Sequence, residues 1–225
     1  MSRKSPNCSR WVRNTVFSSL SLLTLAVVSL PARAQAQNQQ ESAMEISLAH
    51  GNEAEQLTRA QLRSLLSSYE LCPWLLTRKV NIESQVIPHS HPTLTLNTRH
   101  LNRDDLLLST LLHEELHWYL AAHEREANAA MADLRALFPK IPVSYPEGSD
   151  DEAGNYEHLI VIYGEYQADR ELLGDEGAHR VMDFWTQDHY TWLYKTVLSR
   201  GGEIAAILKA HKLSLPTSKS GCASG

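Results

Sequence analysis

The sequence is short of three things: cysteine, positive charge and, beyond its first 34 residues, long apolar runs. Only three cysteines occur in 225 residues. Cys8 precedes the N-terminal apolar run and is badly placed for lipidation after cleavage. Cys72 and Cys222 remain. They can form a disulfide in an oxidising compartment, or Cys72 can be a buried thiol and Cys222 a loose one near the end of the chain. Neither lies near the histidine–glutamate cluster described below, which argues against thiol catalysis. No internal repeat is present.

The missing positive charge is sharper than the overall composition shows. Residues 1–34 hold five basic side chains (Arg3, Lys4, Arg10, Arg13, Arg33) and no acidic one. Without them, 21 Lys and Arg fall to 16 against an unchanged 26 Asp and Glu, a net charge of −10. Such a surface argues against nucleic acid or an anionic membrane as the main partner.

The same 34 residues contain the only long apolar run, residues 16–30, which carries no charge. Basic residues precede it, and Ala32-Arg33-Ala34 supplies small residues at A-x-A spacing. This order predicts a signal peptide over 1–34 and an exported protein, periplasmic or secreted, with no stable membrane association after cleavage. An uncleaved anchor is the alternative, but the run falls short of the roughly 20 residues that span a bilayer. Residues 35–44 are polar, with four glutamines, and read as a disordered leader. A domain over 45–213 and a flexible tail over 214–225 complete the division.

Within the domain, leucines 57, 62, 65 and 66 have helical spacing over residues 54–70. Residues 79–86 and 93–98 alternate Val80, Ile82, Leu94 and Leu96 with polar neighbours, predicting two strands as a hairpin or a strand–loop–strand. A helix follows from Asn102, which can cap it, and Asp104 and Asp105 suit its positive end. Its leucines point in several directions, so it should be buried on most sides. Pro139, Pro142 and Pro146 mark an irregular crossing before an apolar helix over 156–173, stopped by Gly174. The fold class is therefore α+β: a small hairpin or sheet preceding a central helix, on a mostly helical body.

That central helix carries His113-Glu114-Glu115-Leu116-His117. Four residues advance a helix by about 400°, so the two imidazoles project from one face, a turn apart. They can share one tetrahedral ion. Glu114 lies about 100° round from His113, where it can serve as a general base for water at the metal. This is the H-E-x-x-H logic of a zinc hydrolase. The alternative is a metal-free helix whose histidines bond to carboxylates.

The third ligand decides the subclass. His123 follows His117 by six residues, the metzincin spacing, but Leu120 stands where that family has a turn-making glycine. On a continuing helix His123 lies about 9 Å along and about 120° away, and misses the metal. Glu165 is the better candidate: it shares a helical face with Asp169, which can accept the free N–H of a ligating imidazole. The alternative is an exposed face on which Arg170 pairs with these acids. With Glu165-Tyr166-Gln167-Ala168-Asp169-Arg170 the sequence resembles the gluzincins, and among them the HtpX-like peptidases and minigluzincins. The resemblance is confined to these motifs and a similar layout over residues 78–174. It implies Zn2+ held by His113, His117 and Glu165, Glu114 as base, Asp169 behind the ligands, and a peptide or protein substrate.

Weaker candidates remain. His158 lies on nearly the same face as Glu165, about 10 Å away, and can border the cleft or stabilise an oxyanion. His189 and Tyr190 can do so if the C-terminal helices fold over the cleft. His89 and His91 can bind a second metal or sit in a loop. Strand 93–98 can pair with an extended substrate. The rival reading is a zinc-stabilised binding or scaffold protein without turnover. A purely structural site, however, has no use for Glu114.

Overall fold

The structure, a computed structural model, describes residues 44–222. The predicted signal peptide and nearly all of the predicted leader lie outside the described residues. Among the described residues no helix is long and apolar enough to cross a membrane. Strand β1 (Glu45–Leu48) is followed by α1 (Glu53–Ser68), a 3-10 turn (Cys72–Trp74), β2 (Lys79–Ile82) and β3 (Leu94–Leu96). Four helices complete the fold: α2 (Asp104–Ala122), α3 (Glu124–Leu137), α4 (Glu152–Trp185) and α5 (Thr191–Ala210). This is the mostly helical α+β architecture read from the sequence.

The sheet differs from the expected hairpin. Its order is β1-β2-β3 and both pairings are parallel, with Ile46 opposite Val80 and Val80 opposite Leu94. β1 had no sequence signal, because four residues with every second one exposed give little pattern. Residues 83–93 return the chain to start β3 alongside β2. On the way His89 pairs with Thr95: its N–H donates to the Thr95 carbonyl at 3.1 Å and its carbonyl accepts from the Thr95 N–H at 2.8 Å. The outer edge of β3, expected to be open to a substrate, is thus covered at Thr95 by its own chain.

Helix α2 is the axis of the molecule. Leu107, Leu108, Leu111 and Leu112 face a core shared with the sheet and α1, while Leu106, Leu116 and Leu120 face a second core with α3, α4 and α5. Burial on opposite sides explains why its apolar residues form no single stripe. Asn102 does not cap it: its φ of 62° places it in the turn before Arg103, and the helix start has no side-chain cap. Helix α4 continues past Gly174, the predicted stop, with a local break there (φ 75°) that glycine tolerates.

The expected flexible tail is docked as far as the structure describes it. Pro216 O accepts from Trp74 Nε1 at 3.1 Å, Ser218 N–H donates to Glu171 Oε2 at 2.7 Å, and the Tyr119 hydroxyl bonds the Ser214 carbonyl. Cys72 and Cys222 are disulfide-bonded, with Cα atoms 5.0 Å apart, within the ordinary range. A bridge closing 150 residues of sequence restricts the unfolded chain strongly. Cys222→Ser should therefore lower stability by about 2–5 kcal/mol, read as the urea midpoint under non-reducing conditions. An unchanged midpoint would show that the bridge adds nothing.

Glu55 ties α1 to the sheet. Its buried carboxylate accepts from the backbone N–H groups of His50 (2.9 Å), Gly51 (2.7 Å) and Ser84 (3.1 Å), and from the His50 ring (3.0 Å). Burial acts to raise its pKa, but these donors together outweigh burial and hold it at about 2. The folded-state value is depressed, so the stabilisation is present above the ordinary value of 4.5 and is lost as pH falls through about 2. Glu55→Gln should melt below the parent protein at pH 7, with the gap closing between about pH 4.5 and pH 2. A gap independent of pH would exclude this linkage.

Candidate metal centre

Helices α2 and α4 run antiparallel where they meet: Glu157, early in α4, reaches His117, and Glu165, two turns later, reaches His113. Gly164 sets their separation. A Cβ there would lie 3.0 and 3.1 Å from the δ carbons of Leu116 and 3.1 Å from Leu215. A larger residue would require these leucine side chains to give by a few tenths of an ångström.

This approach brings three imidazoles together. The ring centroids of His113 and His117 are 5.2 Å apart, and His158 from α4 lies 5.4 Å and 5.0 Å from them. One nitrogen from each ring lies within 4.8 Å of the other two, the only such group of potential ligands among the described residues. Small ring rotations bring such nitrogens to the ~3.4 Å separations of tetrahedral coordination at about 2.1 Å.

The hydrogen bonds show which nitrogens are free. His113 Nδ1–H donates to Glu165 Oε2 at 2.8 Å, His117 Nδ1–H to Glu157 Oε1 at 2.7 Å, and His158 Nδ1–H to the Gly154 carbonyl at 2.7 Å. Backed at Nδ1 in this way, each ring can present Nε2 to a cation. Outer acceptors of this kind orient metal-bound histidines. Burial, reinforced by the neighbouring rings, pulls His113 well below its ordinary pKa and His158 to about 3, so both are held neutral, the form that ligates a cation. The donor set fits a zinc ion: three imidazoles with backed Nδ1 atoms.

The converging group differs in membership from the predicted set. Glu165 is not among the converging groups. It stands behind His113, fully buried, and also accepts from the hydroxyls of Ser109 and, at 3.1 Å, Tyr194. His158, expected to border the cleft or serve an oxyanion, is the third ring of the cluster. The reason is helical reach: seven residues separate them on α4, so only one can stand level with His113 and His117.

Asp169 does not accept from an imidazole either. It is fully buried, with neither oxygen hydrogen-bonded. Burial and the adjacent Glu165 push its carboxyl well above the usual range, with Ser109 opposing. Burial raises Glu165 as well, to about 7, with Ser109 and Tyr194 opposing, so the two adjacent carboxyls compete for protons.

The two glutamates inside the motif separate by face. Burial raises Glu114 to about 7 against the pull of His117 and His89, and its side chain lines a cavity of about 630 Å³. Burial raises Glu115 to about 8, but its Oε2 accepts from the backbone N–H groups of Leu76 (2.7 Å) and Thr77 (3.0 Å), binding the strand approach to α2. The cavity is also lined by the three histidines, by His89 and by His189 and Tyr190. His123 turns away, its ring stacked on Tyr119 at 4.1 Å. His91 stacks on Trp118 at 4.1 Å, whereas His89 lines the cavity. Glu157 was missed in the sequence. Its only signal is its place beside His158 on the face that meets His117.

Comparison with protein-family models, curated proteins and solved structures returns no match. The site is therefore argued from its own geometry.

His158→Ala should abolish stoichiometric zinc binding, whereas Glu165→Gln should weaken it by about 10–100-fold. Competition with a chromophoric chelator measures both. Loss of zinc in the glutamate variant alone would restore Glu165 as the ligand.

Proposed function

We propose that this chain is an exported zinc-dependent hydrolase of amide bonds, most specifically a peptidase. The observation that carries the proposal is the arrangement of three backed histidines whose free nitrogens converge at a wall of the 630 Å³ cavity, beside buried Glu114. Three protein ligands with an open fourth position are the pattern of catalytic zinc sites, whereas structural sites are closed by a fourth. His113, His117 and His158 would hold the ion. Zinc bound there supplies Lewis acidity toward a carbonyl oxygen and acidifies water.

The protein's own groups then account for proton movement. Glu114, raised toward neutrality by burial, takes a proton from the attacking water and returns it to the departing nitrogen. The water oxygen forms the new bond to the carbonyl carbon as the C–N bond breaks, leaving an acid and an amine. Glu165 and Glu157 keep His113 and His117 oriented throughout. The pairing of Cys72 with Cys222 and the N-terminal order of basic, apolar and small residues support an oxidising, exported setting. The ligand set departs from the gluzincin pattern at the third position, so the reading rests on the site rather than on that resemblance.

The test is turnover on a mixed peptide library by the zinc-loaded protein and by Glu114→Gln. The variant should retain zinc and lose about 10²–10⁴-fold in rate. Equal rates in the two proteins would remove the hydrolase reading and leave a zinc-stabilised binding protein.

A further inference from the structure

The turn between α4 and α5 is built in an unusual way. Tyr190 adopts a left-handed backbone conformation, φ 50° and ψ 35°, immediately before α5. Such a conformation is uncommon for a bulky side chain, and its usual locations include functional sites. Here it lets two consecutive residues, His189 and Tyr190, line the same cavity. The turn is pinned on each side. Asp188 is gripped by Arg99, with one bond at 2.8 Å, and accepts from His189 Nδ1 at 2.7 Å. On the other side Thr191 N–H donates to the Pro146 carbonyl at 2.9 Å.

The aromatic ring of Tyr190 packs between two histidines, 4.6 Å from His158 and 4.7 Å from His189. Its hydroxyl has no hydrogen-bond partner among the described residues. The other inward tyrosines are committed: Tyr119 to Ser214, Tyr156 to the Phe138 carbonyl at 2.8 Å, and Tyr194 to Glu165. A half-buried phenol without a protein acceptor, fixed beside the third histidine and in the cavity that Glu114 lines, is a donor prepared for something that enters. Its proton stays in place at neutral pH, since a phenol titrates near 10.

We infer that Tyr190 is a catalytic residue whose hydroxyl donates a hydrogen bond to the oxygen of the scissile carbonyl as charge develops there, with the Arg99–Asp188–His189 chain positioning it. The inference rests on the hydrolase reading. It assigns a role that the sequence left open among His158, His189 and Tyr190. His158 is used in the cluster, and His189 spends its Nδ1 proton on Asp188.

The test compares the zinc-loaded parent protein with Tyr190→Phe and Glu114→Gln, using peptides and matching phosphonopeptides, whose tetrahedral anionic oxygens imitate the reacting centre. Tyr190→Phe should lower kcat by about 100–1,000-fold and leave KM within about threefold. Its phosphonopeptide affinity should fall by a similar factor to kcat. Zinc content and melting temperature should match the parent, which excludes a merely structural effect. Parental kcat and phosphonopeptide affinity in Tyr190→Phe, with Glu114→Gln inactive, would overturn the assignment while sparing the hydrolase reading. Parental turnover in Glu114→Gln would remove both.

Discussion

The contact between α2 and α4 is the constraint on which the site depends. Neither helix carries a complete site. Helix α2 offers two imidazoles and a carboxylate, and α4 offers one imidazole and two acceptors. Only an antiparallel approach at close range joins them, and Gly164 provides that range by having no side chain between Leu116 and Leu215. The two carboxylate–imidazole bonds, at 2.8 and 2.7 Å, then set the register of one helix on the other. A shift of one residue along either helix would rotate the partners about 100° apart.

Placing these polar groups between two leucine-rich cores is costly by itself. A buried polar group without a partner costs a few kcal/mol, and a buried charge more. The surroundings meet most of that cost. Ser109 shows how: its hydroxyl donates to Glu165 and accepts from Trp185 Nε1 at 3.1 Å, so an apolar-facing indole holds a donor in place. The three imidazoles remain as a directional feature: one nitrogen of each lies within 4.8 Å of the other two, and all three rings line the cavity. A divalent cation satisfies all three at once, which no single hydrogen bond can do.

The fold class was legible because the helices are long and carry dense leucine patterns. The face of α2 bearing His113 and His117 was legible because i, i+4 spacing fixes it without tertiary information. The sheet pairing was not. A parallel pair and a hairpin have the same alternation in sequence, and the difference lies in the path of residues 83–93. The third ring of the cluster was harder still. His158 and Glu165 share a face of α4, and sequence gives spacing along one helix but not the height at which a second helix meets it. The Glu157–His117 and Glu165–His113 bonds mark that height, and a contact between two helices has no signature in either segment alone. The tail was misread for a similar reason: its polar composition resembles a loose end, while its anchors are backbone groups and a cysteine 150 residues from its partner.

Glu114 and Glu115 show how far side-chain identity alone falls short of function. They are adjacent, identical in chemistry, and both raised by burial, to about 7 and about 8. One helical step of about 100° separates them. That step gives Glu115 two backbone donors and places it between the strand approach and α2, where its task is to hold chain segments together. It gives Glu114 no such donors and a face on the cavity. A carboxylate that is buried, close to neutral pKa and free of structural duty can take and release a proton; one that must hold two amides cannot do so without loosening them. The functional reading therefore follows from what each glutamate is not asked to hold.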